Sequence, residues 1–266
     1  MYMKDNKLKK SLDNGEVVIG TMLQELRTPA IPLLLADVGF DFLFIDMEHG
    51  AHNMETVADL LKIIRLTGMT PLVRVPDLQY HLIARCLDAG AQGIMVPRIE
   101  TREQVEEIVK YVKYPPLGVR GCSINKGHND YKAEALIPFV QKANKENFVI
   151  VQIERKKAID NIDSLLSVEG VNAAILGPND LAVSYGISDD LDNPIMSDAI
   201  QKVVDTGRKY GVYTGMHIGG LLKLKEWMNK GMKIITYQTD LGFIKQSSSH
   251  GLKELRECAQ GLAKNN

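Results

Sequence analysis

The sequence is short of the features that mark several functional classes. Its charges nearly cancel, 32 Lys and Arg against 33 Asp and Glu, for a net charge of −1. That leaves no basic footprint for nucleic acid and no polybasic face for a membrane surface. No apolar run approaches the roughly 18 residues needed to span a bilayer. The first residues, Met1-Tyr2-Met3-Lys4-Asp5-Asn6, lack the basic-then-apolar order of a secretory leader. Cys86, Cys122 and Cys258 are odd in number and widely spaced, which argues against a disulfide framework or a cysteine zinc site. They read as ordinary thiols in a reducing cytoplasm, so a cytoplasmic protein is expected.

What is present is ordinary for a globular chain of 266 residues: 45% hydrophobic, 24% charged, ten prolines and 22 glycines. The most informative stretch is Phe148-Val149-Ile150-Val151-Gln152-Ile153-Glu154. A continuous apolar run of β-favouring residues reads as a strand buried on both faces, as in parallel sheets. Strand side chains alternate faces, so Gln152 and Glu154 point the same way. A carboxylate in such a place is costly unless it is hydrogen-bonded, paired or bound to a cation.

The rest of the chain keeps a strand–helix beat. Predicted strands are 17–21, 42–46, 71–76, 93–96, 148–154, 173–176, 212–217 and 233–237. Predicted helices cover 29–38, a stretch around Val57, Leu60, Leu61 and Ile64, and another around Ile83, Cys86 and Leu87. Thr101 and Gln104 form a capping-box pattern before Val105. Further helices fall at 132–146, from Ala158 to Leu166, and at 196–210, 220–229 and 241–263. The beat breaks once, in an irregular loop from Tyr114 to about Asp130, and such loops are more often functional than decorative. Eight strands without a linker or repeat break predict a single (β/α)8 barrel over 1–266, with 1–14 as a polar lead-in.

Such barrels carry their chemistry at the C-terminal ends of the strands. This chain puts there Asp46, Glu48 and His49 after strand two and Arg74 in strand three. Gln152 and Glu154 close strand five, Asn179 and Asp180 follow strand six, and His217 closes strand seven. Strand ends one and four carry little. Two carboxylates with an amide beside them suit a hard divalent cation. A histidine suits general-base work, and a strand-borne arginine can clamp a carboxylate or an oxyanion. Each residue also has a plainer use. Glu154 could pair with a core arginine, Asp180 could be an N-cap, and His49 a satisfied loop histidine. Arg74 could neutralise Asp46, Arg120 could be an exposed turn residue, and His217 and His128 read as structural. All the plainer uses would have to hold together at one end of one barrel.

Several stretches together resemble the HpcH/HpaI aldolases, the metal-dependent pyruvate aldolases. They are Gly39-Phe40-Asp41-Phe42-Leu43-Phe44-Ile45-Asp46-Met47-Glu48-His49-Gly50, Val73-Arg74-Val75-Pro76, Leu87-Asp88-Ala89-Gly90-Ala91-Gln92-Gly93, Tyr114-Pro115-Pro116-Leu117-Gly118-Val119-Arg120-Gly121, Gln152-Ile153-Glu154 and Gly177-Pro178-Asn179-Asp180-Leu181. The resemblance runs from about residue 17 to 245, with motifs in order. It implies Glu154 and Asp180 as ligands of a divalent metal (Mg²⁺, Mn²⁺ or Co²⁺), and Gln152, Asn179 and Asp180 as binders of the pyruvate moiety. It further implies Arg74 as the stabiliser of the enolate oxygen, His49 as general base, Asp88 as the carboxylate that raises its basicity, and Asp46 as a further acidic position nearby. Asp88 would reach His49 from a neighbouring subunit. The resemblance implies a homo-oligomer, hexamer or trimer, with an exchanged C-terminal helix.

The reaction implied is cleavage of a 4-hydroxy-2-oxo acid to pyruvate, or a related 2-oxo acid, and an aldehyde, through a metal-stabilised enolate. The expected partners are thus small molecules. An alternative is decarboxylation of a 2-oxo diacid such as oxaloacetate at the same site; another is a non-catalytic barrel used for binding or assembly. Departures from the family pattern include Thr21 after Gly20 where a Trp is common, and Ala182 where a Ser follows Asp-Leu.

Overall fold

In the computed structural model of the chain, which describes residues 3–187 and 190–264, eight parallel strands close into one barrel in sequence order. The first two residues of the lead-in and the last two of the chain lie outside the described residues. The strands are β1 (Val18–Leu23), β2 (Phe42–Asp46), β3 (Thr70–Arg74), β4 (Gly93–Val96), β5 (Phe148–Ile153), β6 (Ala173–Leu176), β7 (Tyr213–Ile218) and β8 (Ile234–Thr239). Around them lie α1 (Lys7–Asp13), α2 (Ala30–Val38), α3 (Met54–Ile64), α4 (Tyr80–Ala89), α5 (Arg102–Val112) and α6 (Leu136–Glu146). Past β5 come α7 (Lys156–Asp160), α8 (Ile162–Leu166), α9 (Pro178–Tyr185), α10 (Pro194–Tyr210), α11 (Leu221–Asn229) and α12 (Asp240–Lys264). The chain therefore has the (β/α)8 architecture that the strand–helix alternation predicts.

Most expected elements fall within a few residues of their places, and the Thr101–Gln104 capping box forms as the pattern requires. The stretch from Ala158 to Leu166 is two short helices, α7 and α8, meeting at Asn161. The helix predicted over 132–146 begins only at Leu136.

Strand alternation sorts the core into two shells. One set of strand side chains, among them Leu43, Ile45, Val73, Val149 and Val151, packs outward against helix residues such as Val57, Leu60, Val105, Ile108 and Val203. The other fills the barrel: Val18, Met22, Phe42, Phe44, Leu72, Met95, Phe148, Ile150 and Ile175. Gly93 makes room for this filling, since a Cβ there would lie 2.6 Å from Leu72.

The polar lead-in has a structural job. Asn6 caps α1, and the helix turns Leu8 and Leu12 into the barrel-filling cluster, closing its N-terminal mouth. Asn6 Nδ2 donates to the carbonyls of Gln92 (3.1 Å) and Glu146 (3.0 Å), tying α1 to the barrel floor.

At the other end of the chain, only the start of α12 packs on the barrel. Phe243 stacks on Tyr237 and Phe40, with ring centroids 5.3 and 6.1 Å apart. Beyond it the helix is exposed, including Leu252, Leu255 and Leu262. No helix among the described residues is long and apolar enough to cross a membrane.

Candidate active site

The topmost layer inside the barrel is polar. Asp46 and Arg74 end adjacent strands in direct register. Arg74 grips Asp46 with two parallel hydrogen bonds, Nε to Oδ1 at 2.8 Å and Nη2 to Oδ2 at 2.6 Å. Asp46 is fully buried and also accepts from Gln24 Nε2 (2.9 Å) and the Glu48 amide (3.0 Å). Burial by itself would raise its carboxyl, but Arg74, Gln24 and the Glu48 amide outweigh that and hold it below the usual carboxylate range. The plainer use of Arg74, neutralising Asp46, is thus realised. It occupies only one edge of the guanidinium. Nη1 remains, 3.4 Å from Gln152 Oε1 and 3.1 Å from Glu48 Oε2. Asp46 meets His49 only through that residue's backbone amide, at 3.5 Å, rather than through the imidazole.

Gln152 and Glu154 come up on the interior face of β5, as the alternation requires. Both are buried. Glu154 Oε1 accepts the Arg98 amide at 2.7 Å, and Oε2 accepts from Gln152 Nε2. Glu154 forms no ion pair with a core arginine among the described residues, so that plainer use is not realised. Burial first, then the charges of Glu48 and Asp180, push its carboxyl up to about 7 against the opposing Arg98 amide and Arg74. Glu48 is likewise raised, by burial, with Arg74, His49 and Arg98 opposing. Its Oε2 is buried and accepts no hydrogen bond.

Asn179 and Asp180 lie in the first turn of α9. The N-cap position is Gly177 and Pro178 opens the helix, so Asp180 is not an N-cap residue. A Cβ on Gly177 would come within 2.9 Å of Glu154 Oε2 and 3.0 Å of Gln152 Nε2. Only a glycine lets this turn close over the carboxylate. The result is a crowd of carboxylates, Glu154 and Asp180 with Glu48 behind them, whose negative charge is incompletely matched. That donor set fits a hard divalent cation. Two carboxylates would hold it, with water and substrate oxygens completing the shell. Among the described residues no group of three or more His, Cys, Asp or Glu side chains is placed to hold a metal ion, so the protein donors here would be the two carboxylates alone.

His49 is exposed at the rim, its Nε2 3.9 Å from Glu48 Oε2. Together with Arg74, Gln152, Asp180, His217 and Gln24 it lines a cavity of about 270 Å³. Asp88 is elsewhere. It ends α4, where Arg120 Nη2 binds it at 2.5 Å and His128 Nδ1 lies 3.6 Å away. Its partners within the chain do not include His49. Arg120, read as a possible exposed turn residue, is buried and stacks on Tyr114 at 4.5 Å.

Of three further contributors, two carry little signal in the sequence. Gln24 follows β1 and Arg98 follows β4, two strand ends that carry little in the sequence. Gln24 is steadied by Asp240, whose carboxylate accepts the amides of Gln24, Glu25 and Leu26 at 3.2, 2.9 and 2.8 Å. Arg98 acts through its backbone, with φ of 58°, a conformation invisible in residue identity. Glu48 carried a signal, three ionisable groups within four residues at a strand end.

Comparison with known proteins gives the chain a family. A family model described as HpcH/HpaI aldolase/citrate lyase matches residues 25–245. The chain is 30% identical over 243 residues to the 5-keto-4-deoxy-D-glucarate aldolase of an Escherichia coli O6:H1 strain, covering 91% of this chain and 94% of that one. Its fold is similar to that of an HpcH/HpaI aldolase from Desulfitobacterium hafniense, with a TM-score of 0.91 and 33% identity over 94% of this chain and 96% of that one. It is also similar to the citrate synthase SbnG, with a TM-score of 0.85 and 28% identity over 95% and 98%.

Proposed function

The chain belongs to the HpcH/HpaI aldolase/citrate lyase family of carbon–carbon lyases, and from that premise we propose that it cleaves a 4-hydroxy-2-oxo acid to pyruvate, or a related 2-oxo acid, and an aldehyde. The observation that carries the reading is the orientation of Arg74. Its fork with Asp46 fixes the guanidinium, and Nη1 is left beside Gln152 and the Glu48 carboxylate, in the wall of the cavity that Asp180 also lines. Fixed donors aimed at developing charge are the strongest device a site has for stabilising an enolate.

Glu154 and Asp180 would hold the divalent metal, Mg²⁺, Mn²⁺ or Co²⁺, which when bound supplies positive charge beside the oxygens of the 2-oxo acid. Asn179 and the first amides of α9 sit where a substrate carboxylate is favoured by the helix N-terminus. Gln152 orients the substrate beside Arg74. His49 takes the proton from the 4-hydroxyl. The C3–C4 bond then breaks, the aldehyde leaves, and the bonding pair moves toward C2 to give the enolate of pyruvate, with Arg74 Nη1 facing its oxygen. Return of that proton from His49 to C3 completes pyruvate, and the same transfer run backwards gives the exchange of its methyl protons.

Asp88 raises the basicity of His49 only if it is brought there by a second copy of the chain, since its partners in this one are Arg120 and His128. The exposed leucines of α12 support such an assembly, a trimer or hexamer with the C-terminal helix exchanged. The three unpaired thiols suit a reducing cytoplasm.

Exchange of pyruvate methyl protons in D₂O, followed by NMR, tests the reading without knowledge of the aldehyde. Exchange is expected with Mg²⁺, Mn²⁺ or Co²⁺ and is expected to vanish with chelator and in His49→Ala. No exchange in metal-loaded protein would overturn it. Incubation with oxaloacetate separates lyase from decarboxylase by its products.

A further inference from the structure

Near the site the ladder between β1 and β8 slips by one residue. Gly20 opposes Thr236, but Met22 opposes Thr239, so Thr21 faces both Tyr237 and Gln238. This is a bulge, a device that re-aims groups beside functional sites. Gln238 takes it up with φ of 60°, in the left-handed region that residues with side chains seldom enter.

The bulge turns the Gln238 carbonyl toward two donors. Thr21 Oγ1 donates to it at 3.1 Å, and His217 Nε2 lies 3.2 Å from it. A carbonyl oxygen can only accept, so Nε2 of His217 must carry the proton. In a neutral imidazole the other nitrogen, Nδ1, is then an acceptor. Burial, followed by the nearby Arg74 charge, lowers the His217 ring to about 4, which keeps it neutral at ordinary pH. Among the described residues Nδ1 has no hydrogen-bond partner. The ring stands on the interior face of β7, in register with Thr236, and lines the same cavity as His49, Arg74, Gln152 and Asp180.

A lone acceptor, fixed in tautomer by the backbone, selects for a donor on the ligand. The 2-oxo acid half of the proposed substrate offers oxygens but no O–H or N–H once its carboxyl is ionised. The donor must therefore come from the aldehyde-derived half, and its 4-hydroxyl is already given to His49, which leaves a further hydroxyl. We propose that His217 is a specificity residue of this site, its Nδ1 accepting a hydrogen bond from a hydroxyl of the aldehyde-derived portion beyond the reacting 4-hydroxyl. The ligand class is a hydroxyaldehyde, or the hydroxylated 4-hydroxy-2-oxo acid made from it. Thr21 and Gln238 are positioning residues that act through the ring. This inference rests on the aldolase reading above.

The test runs the reaction toward condensation, with pyruvate and either glycolaldehyde or propanal, its methyl isostere. Each kcat/KM is normalised to pyruvate proton exchange by the same variant. Wild-type protein is expected to favour glycolaldehyde at least tenfold. In His217→Leu that ratio should fall about tenfold, chiefly through a higher KM for glycolaldehyde. His217→Asn, whose amide oxygen can stand near the place of Nδ1, should keep part of it. An unchanged ratio in both variants, or an equal loss for both aldehydes, overturns the assignment and leaves His217 a structural residue. Absence of pyruvate exchange in the wild-type protein instead sinks the aldolase reading beneath it, so the two failures are told apart.

Discussion

Arg74 holds Asp46 edge-on through two hydrogen bonds of 2.8 and 2.6 Å, on adjacent strands and in register, with both side chains out of water. A planar guanidinium presented this way cannot rotate, and its remaining nitrogen, Nη1, acquires a fixed direction. The pair resembles a structural salt bridge in its energetics. In the proposed reaction its use is to hold Nη1, beside Gln152 and Glu48, toward the substrate.

Replacing the fork with a point charge should therefore spare the fold more than the activity. Arg74→Lys is expected to lower kcat/KM by about 10²-fold or more, because an ammonium cannot make both Asp46 bonds and still face the substrate. Asp46→Ala should destabilise the protein by about 3–5 kcal/mol, since it strands a buried guanidinium. Steady-state kinetics and urea denaturation of the two variants check the pair. Equal activity of Arg74→Lys and wild type would refute the aiming role.

Glu154 makes the metal-free protein pH-sensitive. Its carboxyl is raised from an ordinary 4.5 to about 7, so between those values the folded state binds more protons than the unfolded one. Stability contributed by the protonated form is present at low pH and is lost as pH rises toward and through 7, a change on the order of 3 kcal/mol. His217, held at about 4, contributes the opposite slope below about 6.5, so the decline is read as the difference between wild type and Glu154→Gln, denatured in chelator from pH 5 to 8. That difference should shrink as pH rises, and Mg²⁺ should recover stability at pH 8 in the wild-type protein only. Parallel profiles for wild type and Glu154→Gln would show that Glu154 is not the group responsible.

Gly177 tests how tightly the turn closes over the carboxylates. Its φ of −100° strains no residue, so an added methyl acts only through space. A Cβ at 2.9 Å from Glu154 Oε2 must displace that oxygen or the turn. Gly177→Ala is expected to cut kcat/KM at least about tenfold, the loss that a 1.4 kcal/mol misplacement of the ligand set would give. The melting temperature should move by only a few degrees, and divalent-metal affinity measured by titration calorimetry should fall with the activity.

The floor of the barrel can be weakened independently of the site. Leu12 is fully buried in the interior cluster, at the mouth opposite the cavity. Leu12→Ala is expected to cost about 2–5 kcal/mol in urea denaturation. Pyruvate exchange measured well below the melting transition should remain near the wild-type rate. A large catalytic loss without destabilisation would mean that α1 does more than close the barrel.

The architecture was legible because it rests on short-range periodicity. Apolar runs such as Phe148–Ile153 mark strands buried on both faces, helices repeat at 3.6 residues, and eight units in parallel leave few closed arrangements. The same alternation places Gln152 and Glu154 on one face. What only the tertiary structure decided are the directions and the partners. Gln24 and Arg98 reach the site through loop geometry and a backbone amide, which leave no trace in residue type. Asp88 pairs with Arg120, 32 positions away in sequence, and with His128, because α4 ends at the far side of the barrel. His217 reads as structural in the sequence. Only the bulge at Gln238 fixes which nitrogen carries its proton, because hydrogen-bond direction depends on where a distant carbonyl is turned.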